Sequence, residues 1–359
     1  MRPLLVDLDT EWRGGQNQFL LMLKGFHARG HRAELLTVEG AALGNRARAL
    51  GLPVHAVAGP ARRWRAARHI RGLLGGGLFD VVHVNESHAL TAAWLARAHR
   101  EIPLVISRRV GYPLGKSLFA RMRFRAAARI IANSRWVAEQ AAASGANREK
   151  LAVVYEGVEI PPLPPAAARS HARARWNIPE NAPLLGSVAV LSPDKGQEYL
   201  IRALGQLRAE FSESRLLLAG DGPCRSNLER ISQELGIRDA VIFAGFVKDI
   251  EAVYATLDVF LFPVFFEGLG TSLLAAMSYA IPSIAFNRCA LGEIIQNEKS
   301  GLLVETANVE EIRKAAARLL RDRNFARRLG EAGRGRVEEV FSADRMVEEM
   351  LRVYAEALR

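Results

Sequence analysis

Short apolar runs alternate with helical segments along the whole chain, in two series separated by Ile160-Pro-Pro-Leu-Pro-Pro165. Strands that alternate with helices fold as parallel sheets covered on both faces. A proline run of this density marks the end of one series and a linker to the next. The first series offers strands at 4–7, 32–38, 81–84, 104–107, 130–133 and 151–155. The second offers strands at 184–190, 215–219, 241–244, 259–262, 282–285 and 302–304. Helices are expected between them, among others at 16–29, 197–210, 227–235, 271–279 and 309–321. With 359 residues the chain is long enough for two cores. The expected class is α/β, with two Rossmann-like doubly wound domains facing a central cleft. Their bounds are 1–158 and 159–342, the closing helix at 343–359 packing back on the first. Ligands of such sheets bind at the carboxyl ends of the strands.

Charge divides the two series. Residues 1–160 hold 24 Lys/Arg against 12 Asp/Glu, whereas residues 161–359 hold 25 against 26. Such asymmetry concerns partners rather than fold. Arg62, Arg65 and Arg68 recur at three-residue spacing beside Trp64 and Ile70; Arg121, Arg125 and Arg129 follow one helical face. Basic amphipathic helices with aromatics suit an anionic membrane surface or an anionic acceptor. Solvated arginine faces have the same composition. Nucleic acid is disfavoured, since no recognisable binding motif accompanies the charge. The chain enters a strand at once without a signal-peptide profile, and its longest nearly apolar stretch, 273–286, is too short to span a bilayer. Two cysteines, Cys224 and Cys289, suggest neither a disulfide framework nor a zinc site. The expected location is the cytoplasm, peripheral on the inner face of the plasma membrane.

The densest signal is Phe265-Phe-Glu-Gly-Leu-Gly-Thr-Ser-Leu-Leu-Ala-Ala-Met-Ser-Tyr-Ala-Ile-Pro282. An apolar strand ends in a turn carrying Glu267, Gly268 and Gly270, and a helix starts near Thr271. Strand, glycine turn and helix point a row of unpaired N–H groups at one spot that suits a phosphate. A carboxylate next to a phosphate is repelled by it, so Glu267 is expected to face neutral hydroxyls such as those of a sugar. An anion seat beside a hydroxyl acceptor is what a nucleotide sugar requires.

Other strand ends add groups. Trp12-Arg-Gly-Gly-Gln16 places Gly14 and Gly15 where backbone can approach a ligand, with Gln16 at a helix start; tight-turn chemistry is the plainer reading. Lys195, in Asp194-Lys-Gly196, would reach a diphosphate as a point charge; the plainer reading is a surface lysine before a helix-starting glycine. In Val82-His-Val-Asn-Glu-Ser-His-Ala89, His83 is either a ligand group or a satisfied sheet histidine, while Asn85 and His88 lie further out, as candidates for substrate contact. Arg108 and Arg109 close the next strand, where acidic acceptor groups could pair with them.

In this order and spacing the motifs resemble retaining glycosyltransferases of GT-B fold, specifically glycosyltransferase family 4. The resemblance runs through Gly14-Gly15, His83 to His88, Ile131-Ala-Asn-Ser134, Val154-Tyr-Glu-Gly-Val158 and Asp194-Lys-Gly196. It continues in Ala219-Gly-Asp-Gly-Pro223, Gly245-Phe-Val247, Glu267-Gly-Leu-Gly270 and Ser300-Gly-Leu-Leu-Val304. It implies that Glu267 contacts donor-sugar hydroxyls, that amides around Thr271 and Ser272 hold the distal phosphate, and that Lys195 neutralises the leaving diphosphate opposite Gly14 and Gly15. Two family residues are absent: Ala275 stands where a second, ribose-binding glutamate is usual, and Val190 where an arginine often precedes the lysine. Asn85 also replaces a histidine of many relatives. A lost ribose hydrogen bond costs about 1–2 kcal/mol, roughly tenfold in donor binding.

The implied reaction moves a sugar from a nucleoside diphosphate to an acceptor hydroxyl with retention, the acceptor being a lipid-linked or anionic glycan of the cell envelope. No cofactor or metal is expected, since positive groups already serve the phosphate. Two alternatives stay open: a catalytically silent GT-B scaffold at the membrane, and a GT-B sugar-nucleotide epimerase. A scaffold would release no nucleoside diphosphate, and an epimerase would turn over donor without acceptor.

Overall fold

A computed structural model of the chain describes residues 1–115 and 117–359. It divides into two compact units, one of Met1–Gly157 with Ser342–Arg359 and one of Val158–Phe341.

The first unit is a seven-stranded sheet with every pairing parallel. Its strands are β1 (Pro3–Val6), β2 (Glu34–Val38), β3 (Val54–Val57), β4 (Val81–Val84), β5 (Leu104–Arg108), β6 (Arg129–Ala132) and β7 (Leu151–Val153), in the order β3-β2-β1-β4-β5-β6-β7. β1 is a wholly buried apolar run and β4, Val-Val-His-Val, is wholly buried with one polar residue, as befits central strands covered on both faces. Edge strand β3, Val-His-Ala-Val, is mostly half-exposed and was not among the expected strands. Helix Ala343–Ala357 packs in this unit against helix Gly14–Ala28, burying Met346, Val347, Met350, Val353 and Tyr354 among Phe19, Met22, Leu23 and Phe26. Its Tyr354 hydroxyl lies 2.6 Å from His83 Nδ1, and Ser107 Oγ lies 2.8 Å from His83 Nε2. His83 is therefore a satisfied sheet histidine. Burial holds its pKa well below the ordinary value, with Arg109 adding to the effect.

The second unit is a six-stranded parallel sheet. Strands β8 (Leu184–Val188), β9 (Arg215–Ala219), β10 (Val241–Gly245), β11 (Val259–Phe262), β12 (Ser283–Phe286) and β13 (Leu302–Val304) follow the order β10-β9-β8-β11-β12-β13. Both sheets are doubly wound α/β layers, so the fold class read from the strand–helix alternation holds. Helices Ala166–Ala174, Ile250–Thr256 and Arg323–Val340 add to those expected. Arg173, fully buried, braces this unit through the carbonyls of Thr256, Pro179 and Ala182.

Candidate functional site

Strand order reverses between β1 and β4 in one sheet and between β8 and β11 in the other. The loops leaving the two strands of a reversal run in opposite directions and open a crevice at the carboxyl ends.

In the second unit that crevice brings Lys195 and Glu267 together. Gly196, after β8, has φ +65°, and a Cβ there would lie 2.1 Å from the Pro263 carbonyl oxygen after β11. A glycine is what lets the two loops touch. The Phe265 N–H donates to the Asp194 carbonyl at 2.8 Å and closes the contact. Lys195 Nζ then lies 2.9 Å from Glu267 Oε2 and 3.4 Å from Asp194 Oδ2. Burial by itself lowers the Lys195 pKa; the Glu267 and Asp194 carboxylates more than offset this and hold it above the ordinary value. Glu267, expected to face neutral hydroxyls of a sugar, pairs in the protein by itself with an ammonium group.

Gly270, with φ +113°, heads helix Thr271–Ser278, and no side chain caps that terminus. Leu273 and Leu274 N–H donate to the Gly270 carbonyl, while the Thr271 and Ser272 N–H groups have no hydrogen-bond partner among the described residues. The Gly268 N–H is engaged by Glu267 Oε1 at 3.2 Å, so it is not a free donor for a phosphate. Ala275 is half-buried on the same helix, and Val190 is exposed with its carbonyl accepting from Gln197 Nε2. Ser192, Asp194, Gln197, Tyr199, Cys224 and Phe265 line a cavity of about 550 Å³ against the Lys195 loop.

In the first unit, Gly14 and Gly15 are themselves the first residues of a helix, two positions earlier than expected, and no side chain caps it. A Cβ on Gly15 would lie 3.6 Å from Asn85 Nδ2 and 3.7 Å from Arg109 Cδ, so the helix start lies over those two side chains. Gln16, Asn85 and Arg109 were expected to reach a sugar or an acceptor; Gln16 and Asn85 share the Asp7 carboxylate, and Arg109 bonds Asn85. Gln16 Nε2 donates to Asp7 Oδ2 at 2.9 Å, and Asn85 Nδ2 donates to the same oxygen. Arg109 donates to Asn85 Oδ1 and lies 2.7 Å from Glu156 Oε1. The reason is topological: Asp7 and Asn85 directly follow the adjacent strands β1 and β4, and Arg109 follows β5. His88 Nδ1 accepts from Arg63 Nε at 2.7 Å, and Arg108 donates to the Tyr112 carbonyl. Glu86 caps helix Ser87–Leu95 by accepting from the His88 and Ala89 N–H groups.

Asp7 was not foreseen. Burial pushes its carboxyl up to about 6, against the lowering effect of Asn85, with Glu86 raising it further. The native state thus holds the Asp7 proton more tightly than the unfolded chain does. The contribution of Asp7 to stability is therefore lost as pH rises from about 4 to about 6, then stays level. Asp7→Asn keeps an oxygen for Gln16 and Asn85 but cannot ionise. Its stability relative to wild type, from urea unfolding, is expected to rise by up to about 3 kcal/mol across that window. A difference that is flat in pH would contradict this account of Asp7.

Among the described residues no three His, Cys, Asp or Glu side chains group to hold a metal ion, and no helix is long and apolar enough to cross a membrane.

Residues 12–160 match the model of Glycosyltransferase Family 4, and residues 168–336 that of Glycosyl transferases group 1. The chain is 34% identical over 180 residues to the GDP-mannose-dependent alpha-(1-6)-phosphatidylinositol monomannoside mannosyltransferase of Mycobacterium tuberculosis, covering 48% of this chain and 46% of that one. It is 29% identical over 224 residues to the 2-deoxystreptamine glucosyltransferase of Streptomyces kanamyceticus, covering 61% and 58%. The chain thus spans about half the length of the curated relatives it matches. Among solved structures, the glycosyltransferase from Rickettsia africae ESF-5 superposes with a TM-score of 0.87 at 19% identity, covering 100% and 98% of the two chains. Anabaena Alr3699/HepE, solved in complex with UDP and glucose, gives 0.84 at 20% identity, covering 99% of each. These likenesses establish the fold. With one family model matched in each unit, the chain belongs to the group 1 / family 4 glycosyltransferases and has their GT-B fold.

Proposed function

We propose that the chain transfers a sugar from a nucleoside-diphosphate sugar to an acceptor hydroxyl with retention of anomeric configuration. The observation that carries this is the Lys195–Glu267 pair at the β8/β11 reversal, followed within four residues by a helix whose first amides are unpaired. The barrier to transfer lies in breaking the anomeric C–O bond while charge grows on the departing diphosphate. Lys195 and the Thr271 and Ser272 amides stabilise that charge as it develops. A bound diphosphate draws Lys195 away from Glu267, and the carboxylate so released accepts hydrogen bonds from sugar hydroxyls. The leaving phosphate accepts the acceptor's proton, so no covalent glycosyl-enzyme is invoked. The positive charge supplied by Lys195 and the helix terminus makes a metal unnecessary in this scheme.

The acceptor in this reading is a lipid-linked or anionic glycan of the cell envelope, met by the basic first unit at the inner, anionic face of a membrane. Support comes from the charge surplus of residues 1–160 and from the mycobacterial relative, whose named acceptor is a phosphatidylinositol glycolipid. The relatives' names include a GDP-mannose enzyme, and a solved likeness carries UDP, so uridine and guanosine donors are both tested. The protein is incubated with each nucleotide sugar and a lipid extract. The expected result is nucleoside diphosphate release that depends on the extract, with a product whose anomeric configuration matches the donor by NMR. Release no greater than in enzyme-free controls, for every donor, would remove the proposal.

A further inference from the structure

The first unit carries a second basic site, away from the strand ends. Helix Ser87–Leu95 leads through Arg97 and the turn Ala98–Arg100 into β5, and helix Leu118–Arg125 leads through Ala126 into β6. Both are helix-to-strand connections, so they lie at the opposite end of the sheet from Asp7, Asn85 and Arg109. Between them is a cavity of about 550 Å³ lined by Trp94, Arg97, His99, Arg100, Met122 and Arg125, among others, with no carboxylate among the described residues of its lining.

Its arginines are exposed, and three features describe their setting. Arg97, Arg100 and Arg125 have no ion pair and no side-chain hydrogen bond among the described residues, in a chain where most arginines find a carboxylate or carbonyl. Arg97 is held at φ +60°, a left-handed conformation that costs a non-glycine residue roughly 1–2 kcal/mol. His99 contributes a buried Nδ1 with no partner. Its pKa is lowered by burial and by Arg100, so the wall can offer a neutral imidazole beside the guanidinium groups.

An apolar surface continues from the mouth of the cavity. Met122 lines it and is 45% exposed; Trp94 lines it and meets Phe119 edge-on at 5.2 Å between ring centroids. Phe119 is 42% exposed and Leu118, beside it, 72%. An unpaired cationic pocket continuous with an exposed apolar strip is complementary to an amphiphile with an anionic head. We infer that this cavity seats the phosphate of an anionic membrane lipid, with Leu118, Phe119 and Met122 entering the interfacial layer above it. The inference rests on the membrane-facing reading of the first unit and assigns that contact to one pocket.

The test is sedimentation of the full chain with phosphatidylglycerol-containing and pure phosphatidylcholine vesicles. Wild type is expected to bind the former alone. Arg97→Ala/Arg100→Ala/Arg125→Ala is expected to lose about 100-fold in partitioning, near fivefold per arginine, with an unchanged circular dichroism melt. Arg62→Ala/Arg65→Ala/Arg68→Ala removes equal charge elsewhere and is expected to lose less than about tenfold through the general field. Met122→Asp, which sets a carboxylate at the mouth, provides a single substitution if the triple variant misfolds, and is expected to mimic it. Equal losses in the two triple variants, or full binding by the pocket variants, overturns the pocket while the membrane reading stands. No binding by wild type overturns both. Stabilisation of wild type by millimolar inorganic phosphate, absent in the pocket variant and without vesicle binding, would make it a site for a soluble anion and overturn the lipid assignment.

Discussion

Lys195→Ala is expected to lower the proposed sugar transfer by about 10²–10³-fold or more, as loss of a preorganised charge facing a developing anion does. Glu267→Ala is expected to be equally damaging, because the carboxylate holds Lys195 in the free protein and, in the proposed complex, would position the sugar. Both side chains are partly exposed, at 19% and 28%, so stability is expected to change by less than about 1 kcal/mol. Melting curves therefore separate a lost site from a lost fold. The two residues touch, so their effects are not additive: the double variant is expected to be little worse than the worse single one. Full activity in either single variant would remove the pair from the reaction.

Gly196→Ala is expected to injure both fold and activity, although it adds one methyl group. The residue sits at φ +65°, where a Cβ costs about 1–2 kcal/mol by itself, and that Cβ would stand 2.1 Å from the Pro263 carbonyl oxygen. Relief requires the loops after β8 and β11 to separate, breaking the bond from Phe265 N–H to the Asp194 carbonyl. The expected cost is about 3 kcal/mol or more in urea unfolding, in the upper range for single substitutions. Transfer activity at a temperature where the variant is still folded is expected to fall with it, since Lys195 would be carried away from Glu267. A variant as stable and active as wild type would show that the loop contact has no such role.

The sequence carried the sheets well because their central strands, such as Leu-Leu-Val in β1 and Val-Phe-Leu-Phe in β11, are continuous apolar runs. β3 escaped notice because an edge strand half-exposed to water has no such run. Helix Arg323–Val340 did have a start signal, since Asp322 accepts from the Phe325 N–H as its cap. In the site, Lys195, Glu267 and Gly270 stood out because glycine punctuation beside an apolar strand has few other causes. The meeting of Lys195 with Glu267 was not legible, because it depends on β8 and β11 being neighbours. Asp7 was hidden for the same reason. A lone acid after a strand looks exposed until the sheet order sets Asn85 and Gln16 around it.

The direct measurement is a thermal shift of wild type and Lys195→Ala with uridine, guanosine and adenosine diphosphate sugars. Binding to the native state alone adds stability, about 2.7 kcal/mol at a ligand concentration 100 times Kd. One donor is expected to stabilise wild type by that order, and Lys195→Ala at the same concentration far less. A donor that stabilises both proteins equally, or no shift from any donor, would contradict the assignment of Lys195 and the helix at Thr271 to the diphosphate.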